Sequence, residues 1–71
     1  THPARAIFRN NFGECLAALA RFEEAEKELL ESHAQIEAIF KPTHERTQKS
    51  RSRLASLYEA WGKPERAAAW K

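Results

Sequence analysis

The sequence predicts an all-α fold of antiparallel helix–turn–helix repeats, on three observations. The first is an internal echo at an offset of forty-two residues. Thr1-His2 returns as Thr43-His44, Arg9 as Arg51, and 12–19 returns in outline as 54–61. Arg21-Phe22-Glu23-Glu24-Ala25 then returns as Lys63-Pro64-Glu65-Arg66-Ala67. The second is composition: all ten acidic residues are glutamate, and Glu, Ala, Leu, Arg and Lys stand near the top of the helix scale. The third is a helical recurrence of apolar residues, broken at Ala20-Arg21, at Lys41-Pro42 and at Gly62. A period of roughly 20–50 residues marks a stacked-repeat architecture. Such a unit supplies a surface rather than a reaction centre.

The elements follow in order. A first helix over 3–19 starts at Pro3, whose missing N–H has no intrahelical partner in the first turn anyway. Phe8, Phe12, Cys15, Leu16 and Leu19 draw its apolar stripe, and Cys15 reads as a buried small hydrophobe within it. A second helix over 22–40 opens with Glu23 and Glu24, favoured at the positive end of the helix dipole. Its stripe is Phe22, Ala25, Leu29, Ile36 and Phe40. Pro42 biases Lys41 away from helical angles and ends it, and Thr43 is placed to cap the next helix through its hydroxyl. A third helix over 44–61 carries Leu54, Leu57, Tyr58 and Trp61. Gly62 breaks the chain, and Pro64 opens a short fourth helix over 64–71, on which Trp70 is expected to be exposed. Gly62 adopts left-handed angles at little steric cost, but Ala20 stands at the equivalent place. The first turn therefore has a different geometry or carries roughly 1 kcal/mol of strain.

Seventy-one residues allow one small domain, in which only about 60% of the unfolded surface becomes buried. A single cysteine excludes an internal disulfide and fits a reducing, cytoplasmic setting. No apolar run approaches the ~18 residues of a membrane span. With no methionine at all, the chain reads as a piece of something longer. Its net charge of +2 is unevenly spread. The stretch 22–40 holds six glutamates against Lys27, while 41–53 holds Lys41, Arg46, Lys49, Arg51 and Arg53 against Glu45. The basic third helix is expected to complement the acidic second one.

Phe12, Gly13, Leu16, Ala20, Phe22 and Ala25, and again Leu54, Ala55, Tyr58, Gly62, Pro64 and Ala67, resemble the pattern of tetratricopeptide repeats. Small residues in that pattern let paired helices approach, and large ones fill the gap between them. The forty-two-residue period and the Pro-Thr-His connector are similar to the kinesin-light-chain-like subclass. The stretch 57–68 resembles the closing repeats of tetratricopeptide tails on bacterial serine/threonine protein kinases. Ala20, Ser32 and Pro64 depart from the pattern. The resemblance divides the chain into a first unit, 1–42, and a truncated second unit, 43–71, of a tetratricopeptide-like α-solenoid.

The resemblance implies a protein-binding scaffold whose concave face is lined by the first helix of each unit. Carried over by position, the partner-binding residues are Asn10, Asn11 and Glu14, then Lys49, Ser52, Arg53 and Ser56. Asn11 stands where related repeats hold a peptide backbone, for which an amide both donates and accepts. Arg53 at the matching place favours an acidic or carboxylate-bearing partner. The plainer alternative is that these are solvated polar residues.

No catalytic constellation competes with this. Two glycines do not build a phosphate cradle, and no Ser–His–acid set or paired catalytic carboxylates occur. Neither enzymatic activity nor a cofactor is expected. His2, His33 and His44 lack metal-ligand spacing, and His33 with Glu37 reads as a surface i, i+4 pair. Two further functions stay open. One is a purely structural cap or oligomerisation segment, since two units fall short of the roughly three a solenoid needs, so neighbouring repeats or a second copy would cover the open faces. The other, weaker, is nucleic-acid contact through Lys49, Arg51 and Arg53, which lack interleaved aromatics.

Overall fold

Four helices succeed one another through short turns: α1 (Pro3–Ala18), α2 (Phe22–Phe40), α3 (Glu45–Ala60) and α4 (Pro64–Ala69). The computed structural model describes residues 3–70; Thr1 and His2 of the sequence echo lie outside them. α1 and α2 run antiparallel, with Arg9 beside Glu28 and Glu31, Asn10 beside Ser32, and Gly13 against Leu29. α2 and α3 are antiparallel too, since Phe22 meets Trp61, Glu26 meets Tyr58 and His33 meets Ser50. The fold is therefore an all-α stack of helix–turn–helix units.

The core gathers Leu16, Ala25, Leu29, Leu54, Leu57, Tyr58 and Ala67, with Phe22, Trp61 and Trp70 packed at its edge. At its centre α1 approaches α2 so closely that a Cβ on Gly13 would lie 2.8 Å from Leu29 Cγ. Trp61 stacks on Phe22 and on Tyr58, and Lys63 lies over the indole at 4.2 Å.

The two intra-unit turns share one geometry. Arg21 N–H donates to Leu16 O at 2.9 Å, and Lys63 N–H to Tyr58 O at 2.8 Å. This six-residue closure requires a left-handed residue just before the donor. Gly62 has φ 79°, and Ala20 adopts φ 61° despite its side chain. Of the two readings of Ala20, the strained turn is the observed one. A third positive angle, φ 74° at Lys41, lies before Pro42, and Thr47 Oγ1 holds the Lys41 carbonyl at 2.7 Å.

Several expectations are corrected. The buried face of α1 is Ala6, Asn10, Gly13 and Leu16. Phe8 and Leu19 are each 68% exposed, Phe12 46%, and Cys15 is exposed with them. The physical reason is packing: α2 presses where α1 is small, at Gly13 against Leu29. The cap of α3 is His44 rather than Thr43, its Nδ1 accepting from Arg46 N–H at 3.0 Å. His33 is an interior residue, 5% exposed, and its Nε2 lies 3.9 Å from Glu37, beyond hydrogen-bond reach. Trp70 is half-buried, its ring edge-on to His33 with centroids 5.1 Å apart.

Candidate partner-binding surface

The candidate surface is built where α1 and α3 lie side by side in the same direction, and Arg53 organises it. Its Nη1 donates to Asn10 Oδ1 at 2.8 Å and to Asn11 Oδ1 at 2.7 Å. Its Nε sits 3.2 Å from Glu14 Oε2 without forming a hydrogen bond. One guanidinium thus gathers three residues of α1. Asn11 is exposed, and with its carbonyl oxygen on Arg53 its NH₂ group keeps its donor capacity.

Asn10 belongs to the interior, being 2% exposed. Its Nδ2 donates to Ser32 Oγ and to Ser50 Oγ, both at 2.9 Å. Ser50 Oγ also lies 2.8 Å from His33 Nδ1. Ser50 Oγ, which accepts from Asn10, thereby links α1 to His33 of α2. Ser32 in turn donates to Leu29 O at 3.2 Å. Burial pushes the His33 imidazole below its ordinary value; Glu37 partly opposes this and Arg51 reinforces it. Asn10, named with Asn11 for partner binding, therefore supports the surface from beneath.

Between the helices lies a pocket of about 130 Å³ lined by Ile7, Asn10, Asn11, Ile36, Arg46, Lys49 and Arg53. Among the described residues, Arg46 and Lys49 make no ion pair. The expected pairing of basic α3 with acidic α2 is replaced by other partners. Glu28 and Glu31 take Arg9, Glu24 takes Arg21, and Glu26 takes Arg66. Of the α3 cations, Arg53 serves α1, Arg46 lies over the Phe40 ring at 5.9 Å, and Arg46, Lys49 and Arg53 share the lining of this pocket. Glu14, Arg53 and Ser56 line a second, shallower depression with Leu57 and Ala60. Ser52 is exposed and lines neither.

Arg46 was missed in the sequence. Its signal was present, since Arg46, Lys49 and Arg53 stand at i, i+3 and i+7 and share one helical face. Ile7 and Ile36 were not legible, because their place depends on how three helices meet.

The tetratricopeptide repeat family matches over residues 4–71, almost the whole chain. The chain belongs to the tetratricopeptide repeat family. No match comes from curated proteins or from solved structures. Tetratricopeptide repeats are non-catalytic scaffold units that generally mediate protein–protein interaction. No described helix of this tetratricopeptide chain is long and apolar enough to cross a membrane.

Proposed function

We propose that this chain is an interaction module that holds an acidic protein segment in the pocket between α1 and α3. The observation that carries the reading is the alignment of three cations with one exposed amide. Arg46, Lys49 and Arg53 line one side, and Asn11, its carbonyl fixed by Arg53, lines the other. A carboxylate there receives charge-assisted bonds from α3 and an N–H bond from α1, while Ile7 supplies an apolar contact. Glu14 flanks the pocket and disfavours ligands with excess charge on that side.

The test is titration of a labelled acidic decapeptide against the chain and its variants. Removing Arg53 would also strip Asn10 of its partner, so Lys49→Glu and Asn11→Ala are the cleaner changes. Lys49→Glu is expected to weaken capture at least about tenfold, and added salt to weaken it further. Equal affinity for a lysine-substituted control peptide rejects the proposal. A duplex oligonucleotide in the same titration tests the nucleic-acid reading of the basic helix.

A second reading, a cap or oligomerisation segment without a ligand, has one observation in its favour. Gln48 and Ser52 are polar and exposed at positions where the first unit has the buried Ala6 and Asn10. The finer resemblances form part of the same proposal. The forty-two-residue period supports a kinesin-light-chain-like array. The stretch 57–68 supports a cytoplasmic module attached to a bacterial protein kinase, which the domains flanking it in the parent polypeptide would test.

A further inference from the structure

The two ends of α3 are fastened to α2 by different means. Toward its C-terminus α3 buries Leu54, Ala55, Leu57 and Tyr58, and Trp61 stacks on Phe22. Toward its N-terminus the residues it buries are Thr47 and Ser50. Polar bonds hold that half. Thr47 Oγ1 donates to Lys41 O at 2.7 Å, and Ser50 Oγ accepts from Asn10 and lies 2.8 Å from His33 Nδ1. A segment with few buried apolar contacts opens locally at lower cost than the core beside it.

Two imidazoles serve this half, and each suits it in the neutral form. His44 caps α3, its Nδ1 accepting from Arg46 N–H at 3.0 Å. A proton on Nδ1 turns that acceptor into a donor and sets a cation at the positive end of the helix dipole. The Phe40 ring lies beside His44, with centroids 4.8 Å apart; Arg46 lies over the same ring, and Glu45 follows in the chain.

His33 is buried, bonded to Ser50 and edge-on to the Trp70 indole of α4. Its charged neighbours are Glu37 on α2, 3.9 Å from Nε2, and Arg51 on α3. Through Ser50, α1 presents the neutral Asn10. Charging His33 in this place costs desolvation, which an opened α3 relieves by admitting water. Burial makes His33 bind its proton more weakly than it does in water, so acid favours the opened form. The His44 cap has the same sign, since it exists only while Nδ1 is unprotonated.

We propose that residues 45–51 of α3 form an acid-responsive flap, hinged on the apolar half of the helix and released from α2 by protonation of His44 and His33. A piece this short does not stay helical once detached. Arg46 and Lys49 ride on the flap, so the cationic wall of the pocket opens with it. The device itself does not rest on the function proposed for that pocket.

Amide hydrogen exchange of the 71-residue chain, corrected for intrinsic rates, tests it at about pH 7.5 and about pH 5.5, on either side of imidazole titration. Amides 49–53, which bond the flap carbonyls, are expected to lose at least about fivefold in protection in acid, the scale of a lost helix cap. Amides 57–61 should change by less than about twofold, because the apolar core holds them. His44→Asn keeps a cap oxygen without the charge, and should shrink the loss at least about twofold. Adding His33→Asn should abolish it. If that double variant loses its circular dichroism, the single one still decides.

Steady protection of 49–53 in the unaltered chain overturns the proposal. Equal losses in 49–53 and 57–61 also overturn it, because they report global acid unfolding. An undiminished loss in His44→Asn overturns it by placing the trigger in another group.

Discussion

Gly13 is the residue on which the closest helix contact turns. Alanine there would gain about 1 kcal/mol of helix propensity. Against that, its Cβ would meet the branch carbon and a methyl of a fully buried leucine, and overpacking of this kind costs about 1–3 kcal/mol. Gly13→Ala is therefore expected to lower the thermal midpoint, and a rise would show that Leu29 yields freely. Ala20 is the converse case. Its φ of 61° costs an L-residue about 1–2 kcal/mol, whereas glycine pays about 0.5–1 kcal/mol in unfolded-chain entropy. Ala20→Gly should thus leave a net gain of a few tenths to 1 kcal/mol, a midpoint shift of a few degrees upward. A clear loss in differential scanning calorimetry would reject strain at this turn.

Between elements, the stack is joined by polar bonds as much as by apolar contact. Asn10 of α1, Ser32 and His33 of α2 and Ser50 of α3 form one buried chain of hydrogen bonds. Ser50→Ala would leave Asn10 Nδ2 and His33 Nδ1 without a shared partner, for a loss of about 1–3 kcal/mol. The same network sets an acid limit. The native His33 binds its proton more weakly than the unfolded chain does. Its contribution is therefore complete above the ordinary value of 6.5 and is lost as pH falls through the lower folded-state value.

At the far end of the core, burial and the hydrogen bond to Glu26 push the Tyr58 hydroxyl up to about 12 from 10.0. Its contribution is complete below the lower figure and is lost as pH rises toward the upper one. Denaturant midpoints are expected to be flat between these limits and to fall on either side. In His33→Asn the acid limb should flatten, and an unchanged limb would place its origin in another group.

For the molecule as a whole, equivalence under the repeat is not equivalence in energy. Phe12 and Leu54 occupy the same repeat position, but Phe12 is half in solvent and Leu54 is wholly buried. Phe12→Glu should change stability by no more than about 0.5 kcal/mol, as exposed substitutions do. Leu54→Glu would bury a carboxylate at the centre of a domain whose total stability is on the order of 4–10 kcal/mol, and should leave it largely unfolded. Circular dichroism of the two variants side by side distinguishes them; matching behaviour would mean that the α1 face is covered in solution.

The fold class was legible because period, composition and punctuation agreed. A helix-former's composition, a forty-two-residue echo and breaks such as Gly62 and Pro42 all point to the same stack. The candidate pocket was half legible. Asn11, Lys49 and Arg53 carried a positional signal, while Ile7 and Ile36 came from different helices and carried none. Helical spacing by itself drew one apolar stripe on α1, of which Leu16 is buried while Phe8, Phe12, Cys15 and Leu19 are exposed. Periodicity reports that a face exists, not which neighbour meets it.

The sequence by itself therefore determined the kind of element, the order of helices and the repeat. These follow from local backbone preference and from spacing along a single helix. Only the tertiary structure decided that Asn10 and His33 lie inside, that Phe12 and Cys15 lie outside, and that Arg53 serves α1 rather than α2. Burial and pairing are properties of the neighbour that arrives, and residues forty-two apart come together only when the chain packs.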